Sequence, residues 1–133
     1  MKVALGLGCD RNTPAQTIHQ AIQEALASVG LTFGDVQAVA SIDLKADEPG
    51  LNAVVEAAGW PIHFYPAHAL AVVTVPNPSE TVRRYTGTPS VAEAAALLCA
   101  GAEVDLTHLL VEKHRLRGAD GRNATVSIAR IPG

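Results

Sequence analysis

Four charged side chains, Asp43, Lys45, Asp47 and Glu48, fall within six positions of one another in a chain of which only 17% of residues are charged. Two chemistries suit that spacing. In one, Asp43 or Glu48 acts as general base on a water while Lys45, or a nearby backbone N–H, steadies an oxyanion. In the other, Lys45 grips an anionic ligand, and the acids are paired to a cation so that they do not repel it. A simpler reading gives Asp47 and Glu48 to the amino end of the following helix, whose dipole favours acids. It leaves Asp43 and Lys45 unexplained, since both precede the helix and alternate with Leu44.

A second polar stretch, G-L-G-C-D-R-N-T, supplies Gly8, Cys9, Asp10 and Arg11. It is not a dinucleotide fingerprint, because Arg11 stands where the third glycine belongs, and no G-K-[ST] is present. Gly6 reads as a position where a helix packs closely on a strand. Cys9 would be a nucleophile if a helix amino terminus lowered its pKa; with no histidine paired to it, a small packed cysteine is the simpler reading. Cys99 reads as core. His63 and His68 are five apart, which is not metal-ligand spacing, and neither a metal nor a cofactor is expected. Two further polar loops each open a helix: Asn77, Ser79 and Glu80 in P-N-P-S-E, and Thr86, Thr88 and Ser90 in T-G-T-P-S.

The elements that must position these loops follow from periodicity. Lys2 to Leu7 and Val36 to Ile42 are apolar runs of strand length with both faces covered. A helix carries Ile18, Ala21, Ile22, Ala25, Leu26 and Val29 on one face and stops at Gly30. Its start signal is Thr13 as N-cap, Pro14 at the first helical position and Gln16 at the capping-box position. Pro49 opens a second helix, with Leu51, Val54, Val55 and Ala58 buried and Gly59 as its stop. Pro61 to Tyr65 is a short strand, and Pro66 to Val73 a short helix or turn. Ser79 caps a segment running through Tyr85. Pro89 and a Ser90/Glu93 capping box start the last long helix, which buries Val91, Ala94, Ala95 and Leu98 and ends at Gly101. Leu106 to Glu112 and Ala124 to Ile131 are strands of an antiparallel hairpin, joined by the polar connection R-L-R-G-A-D-G-R-N. The sum is an α/β fold: a three-layer α/β/α sandwich with a mixed sheet of about five strands and a C-terminal antiparallel hairpin. If the first strands are parallel, the Gly8–Thr13 and Asp43–Glu48 loops leave one sheet edge, where open α/β sheets bind ligands. The free N–H groups of helix starts, with Arg11 and Lys45, then make that edge a site for a phosphate or a carboxylate.

At 133 residues the chain is expected to be one domain, residues 1–133. A formal charge of −3, five aromatic residues and no Lys/Arg cluster along the sequence argue against nucleic acid. No apolar run reaches the length of a membrane span, and the start, M-K-V-A-L-G-L-G, is not a signal peptide. A cytoplasmic location is expected.

In their order, G-L-G-C-D-R-N-T, S-I-D-L-K-A-D-E-P-G-L, P-N-P-S-E and G-T-P-S-V-A-E-A-A-A-L resemble the family formed by CobE and the C-terminal domain of CbiG, of cobalamin (vitamin B12) biosynthesis. The likeness runs over essentially the whole chain, in the manner of the stand-alone CobE form of the aerobic pathway. It implies a small α/β/α domain that handles corrin-ring (precorrin) intermediates, tetrapyrroles that carry carboxylates around an apolar face. In the longer CbiG proteins it implies a cobalt-precorrin-5A hydrolase, which opens a ring lactone. Carried over by motif, the ligand-facing residues are Cys9, Asp10 and Arg11; Asp43, Lys45, Asp47 and Glu48; Asn77, Ser79 and Glu80; and Thr86, Thr88 and Ser90. Leu44, Leu51 or Tyr85 would lie against the macrocycle. Three functions remain open: a carrier of a corrin intermediate that works with other cobalamin-pathway enzymes, a hydrolase or modifying enzyme using Asp43 or Glu48 with Lys45, and a small-phosphate binder.

Overall fold

The computed structural model describes residues 1–88 and 90–132. Pro89, read above as part of a helix start, lies outside the described residues. The chain forms β1 (Val3–Cys9), α1 (Ala15–Ser28), β2 (Val36–Ile42), α2 (Pro49–Ala58), β3 (Ile62–Tyr65), α3 (Ala67–Ala71), α4 (Glu80–Thr86), α5 (Val91–Ala100), β4 (Leu109–Arg117) and β5 (Asn123–Arg130). The sheet order is β3-β2-β1-β5-β4. β1, β2 and β3 are parallel, β5 is antiparallel to β1, and β4 antiparallel to β5. This is the expected mixed sheet of five strands between two helical layers.

Alternation along the central strands assigns each layer a different kind of residue. Val3, Leu5 and Leu7 of β1, with Val126 and Ile128 of β5, face α1 and α2 and fill a core with Ile18, Ile22, Leu26 and Leu51. The opposite face carries small residues, Ala4, Ala40 and Ala129, and α5 answers with Ala94, Ala95 and Ala96. Gly6 belongs to this face, and a Cβ there would run into the backbone oxygen of Ala92. The helix therefore rests on β1 almost backbone to backbone. Gly8, two residues on, has nothing nearer such a Cβ than the Thr125 Cβ at 3.9 Å. One strand position holds a helix down, and the next is open.

The helix stops behave as read: Gly30 and Gly59 are left-handed, and the N–H groups of Leu31 and Trp60 reach back to Leu26 and Val55. Three readings are corrected. Pro14, not Thr13, is the N-cap of α1, and no side chain caps that helix. The Thr13 hydroxyl is buried and donates to the Asp10 and Asn123 carbonyls instead, because its tie across the loop competes with a local cap. Ser90 and Glu93 form no capping box. Glu93 is fully buried and accepts from the Asn77 amide at 2.6 Å. Finally, Leu106–His108 is a 3₁₀ turn and β4 runs on to Arg117, so the hairpin loop is only Gly118–Arg122. The charged side chains of Lys113, Arg115 and Arg117 do not break the strand, since they alternate with residues that pack inward.

Candidate functional site

Two loops at the carboxyl edge of the sheet are clamped to each other by Arg11. Its Nη1 lies 2.9 Å from Asp47 Oδ1 and 2.9 Å from Glu48 Oε1, and its Nη2 donates to the Leu44 carbonyl at 3.3 Å. The Glu48 carboxylate is fully buried, and the backbone N–H of Asn12 donates to both of its oxygens at 3.0 and 3.3 Å. Asn12 presents that N–H from a left-handed conformation (φ 65°), which asparagine tolerates. Hydrogen bonding to Arg11 holds the Asp47 carboxyl below the usual carboxylate range and strengthens the proton of Arg11 in return. A third strut comes from the far end of the chain. Asp10 Oδ2 accepts from the Asn123 backbone N–H at 2.7 Å and from its side-chain amide at 3.1 Å, and Arg122 Nε donates to the Arg11 carbonyl at 3.0 Å.

Beside this clamp lies a cleft of about 430 Å³. Gly8, Thr125 and Arg115 stand in register across β1, β5 and β4 and supply its sheet side. The first residues of α5 and the Val82/Tyr85/Thr86 face of α4 also border it, with Lys45 from the β2–α2 turn and Lys113 from β4. Its charge is lopsided. Arg11 is neutralised by Asp47 and Glu48, but Lys45, Lys113 and Arg115 make no ion pair among the described residues. The one acid in the lining, Asp10, is turned to Asn123. In a chain of net charge −3, this is a concentration of positive charge next to apolar surface from Val82, Tyr85 and Val91. Such a surface is electrostatically complementary to anions. A second hollow, about 380 Å³ between α1 and α2, has His19 as its one titratable side chain and offers nothing comparable.

Cys9 also borders the cleft, but as a thiol. Burial pushes its pKa up to about 11, against the opposing pull of Lys45. A nearby helix start does not lower it, because loss of hydration outweighs the local field.

Of the residues expected from sequence, the fold brings Gly8, Cys9, Asp10, Arg11, Lys45, Thr86 and Ser90 to this cleft. The others lie elsewhere. Asp43 is exposed and outside the lining. Asp47 and Glu48 are engaged with Arg11. The Asn77 amide bridges Glu93 and Glu112, Ser79 caps α4 by accepting from the Val82 N–H at 3.2 Å, and Glu80 pairs with Arg83 on its own helix. Thr88 is buried, and its hydroxyl has no partner among the described residues. Tyr85 borders the cleft as expected of an apolar contact, whereas Leu44 is exposed outside it and Leu51 is a core residue. Sequence reading missed Lys113, Arg115, Asn123 and Thr125, and its statement that no Lys/Arg cluster exists fails in three dimensions. The signal was present as the alternation K-H-R-L-R, a strand pattern carrying three cations on one face, of which Lys113 and Arg115 reach the cleft.

Comparison with known proteins bears on family and fold. The model of the family described as "Cobalamin synthesis G C-terminus" matches residues 3–129. A cobalt-precorrin-5A hydrolase of Priestia megaterium is 38% identical over 130 residues, which are 98% of this chain and 32% of that protein, so the chain spans about a third of that relative. Protein CobE of a Sinorhizobium species is 43% identical over 106 residues, 78% of this chain and 69% of that one. The crystal structure of CobE, "a protein from the cobalamin (vitamin B12) biosynthetic pathway", superposes with a TM-score of 0.76 at 31% identity, covering 99% of this chain and 93% of that chain.

Proposed function

The chain belongs to the cobalamin synthesis G C-terminus family, shared by CobE and CbiG, and from that premise we propose that it binds a corrin-ring intermediate of cobalamin biosynthesis in the cleft and carries it between pathway enzymes. The observation that carries this reading is the set of unpaired cations, Lys45, Lys113 and Arg115, beside the apolar face of α4 and α5. A corrin precursor offers the complement, carboxylates around the rim of a large apolar ring. The cleft is open, so it takes one edge of such a ligand rather than engulfing it.

Carriage is favoured over hydrolysis by where the acids are. A general base must reach a water beside the ligand. Asp43 stands outside the cleft lining, and Glu48 is buried and satisfied by Arg11 and Asn12. The cobalt-precorrin-5A hydrolase activity of the longer relative is thus not assigned to these residues.

The test is to mix the purified protein with hydrogenobyrinic acid, a stable polycarboxylate corrinoid, then desalt it and record the absorbance spectrum. Co-elution of an unchanged chromophore is expected. A new spectrum with a released product would replace the carrier reading with an enzymatic one, and loss of all colour on desalting would overturn it.

A further inference from the structure

We propose that the amino end of α5 is a carboxylate subsite within the cleft, with the Ser90 hydroxyl and the first backbone N–H groups of the helix as its donors; this deepens the anion-binding reading above and rests on it. Ser90 is the N-cap of α5 and borders the cleft, yet it is only 1% exposed and its Oγ has no hydrogen-bond partner among the described residues. An N-cap serine ordinarily accepts from an N–H of the first turn. Here it does not, so the hydroxyl and the first-turn N–H groups are both left for something else. A buried hydroxyl without a partner is costly and rare, and one that borders an open cleft has an evident use.

The surroundings fit a carboxylate. The next two residues, Val91 and Ala92, border the cleft too. The carboxylate's charge suits the positive end of a ten-residue helix, one of its oxygens accepting from Ser90 and the other from backbone N–H groups. Lys113 and Arg115 border the same cleft and make no ion pair among the described residues. Glu93, the nearest acid along the helix, is not in the lining and is held by Asn77. The site therefore fixes one carboxylate of the ligand at α5 and leaves the lysines and Arg115 to the others.

Ser90→Ala removes the donor and no hydrogen bond of the free protein, so its melting temperature should equal or exceed that of the parent. Its affinity for hydrogenobyrinic acid should fall about tenfold, the effect of one hydrogen bond to a charged group. The second arm needs no corrin: propane-1,2,3-tricarboxylate is titrated into ¹⁵N-labelled protein. The Val91 and Ala92 amide resonances should move in the parent and stay still in Ser90→Ala. Equal affinity of both proteins for hydrogenobyrinic acid, with these amides unmoved, would overturn the subsite and leave the corrinoid reading intact. Amides that respond only in the parent, in a protein that retains no corrinoid, would establish the subsite and overturn the corrinoid reading.

Discussion

Arg11 reaches from the surface to within 2.9 Å of the fully buried carboxylate of Glu48, so one exposed guanidinium governs an interior charge. The pair joins the β1–α1 loop to the start of α2, and Asp47 shares the same guanidinium from the solvent side. Two neighbouring acids therefore have unequal worth.

Glu48→Gln keeps the shape and loses the charge-assisted bonds to Arg11 and Asn12, and should lower unfolding free energy by about 1–3 kcal/mol. Asp47→Ala, at a solvent-screened partner, should leave the urea midpoint nearly unchanged. Arg11→Ala should resemble the Glu48 variant rather than the Asp47 variant, because it strands a buried carboxylate. Urea titration of the three variants checks the ranking.

The cleft cations should act on ligand and not on fold. Lys113→Glu and Arg115→Glu should each weaken hydrogenobyrinic acid binding by about tenfold or more at low salt, and Lys45→Ala by less. Raising the salt to 1 M should shrink these differences, since the Debye length then falls to about 3 Å. Unchanged affinity in all three variants, measured by absorbance titration, would remove the cleft from ligand binding.

How much of this was legible beforehand depends on the distance between the parts. β2 and α2 were read with the boundaries they have, because their signals are local: an apolar run, a proline, and a left-handed glycine. Pairing of the acids with a cation, Lys45 or Arg11, was expected as a condition for anion binding; the structure gives Asp47 and Glu48 to Arg11, 36 residues before Asp47. Lys113 and Arg115 were lost because the hairpin was ended too early, placing Arg115 in a loop and leaving Lys113 without a strand face. The roles of Thr13 and Glu93 were misread for one reason. Capping motifs describe local competition for N–H groups, and each of these side chains met a tertiary partner instead, Asn123 for Thr13 and Asn77 for Glu93, while Ser90 is the N-cap of α5 without the side-chain bond.

Gly6 and Gly8 give a test that separates packing from site. Gly6→Ala drives a methyl group into the Ala92 carbonyl and should cost about 1–3 kcal/mol or more, read by thermal or urea unfolding. Gly8→Ala meets only ordinary contact at 3.9 Å from Thr125 and should fold normally, while its methyl group narrows the cleft and weakens corrinoid binding.

Cys9 should be slow toward iodoacetamide at pH 8. Burial raises its thiol pKa to about 11, so the thiolate fraction, and the alkylation rate of the native protein, should climb steeply only as that value is approached. The raised value means that the thiol form stabilises the fold below the unfolded cysteine pKa, and that this contribution is lost as pH rises through the folded value. Rapid labelling at pH 8, followed by mass spectrometry, would show an accessible thiolate instead.

Acid should loosen the molecule. Glu24, Asp35, Asp47, Asp105 and Asp120 are all held below their ordinary values, chiefly by hydrogen bonds from His114, Thr32, Arg11, Thr107 and Arg122 respectively. Each is more acidic folded than unfolded, so its contribution is complete above the ordinary carboxylate range and is lost as pH falls through the lower folded values. The urea midpoint should be level from neutrality to about pH 5 and drop below it. A midpoint that stays level to about pH 3 would mean that these contacts do not stabilise the native state.

The bonds from Asn123 to Asp10 span 113 positions of chain. The strip of sheet beneath the cleft is therefore shared between β1 and the β4–β5 hairpin, and no local stretch can assemble it. The cleft comes into being only when β5 has paired with both β1 and β4, so it is a product of the finished sheet and of no single element.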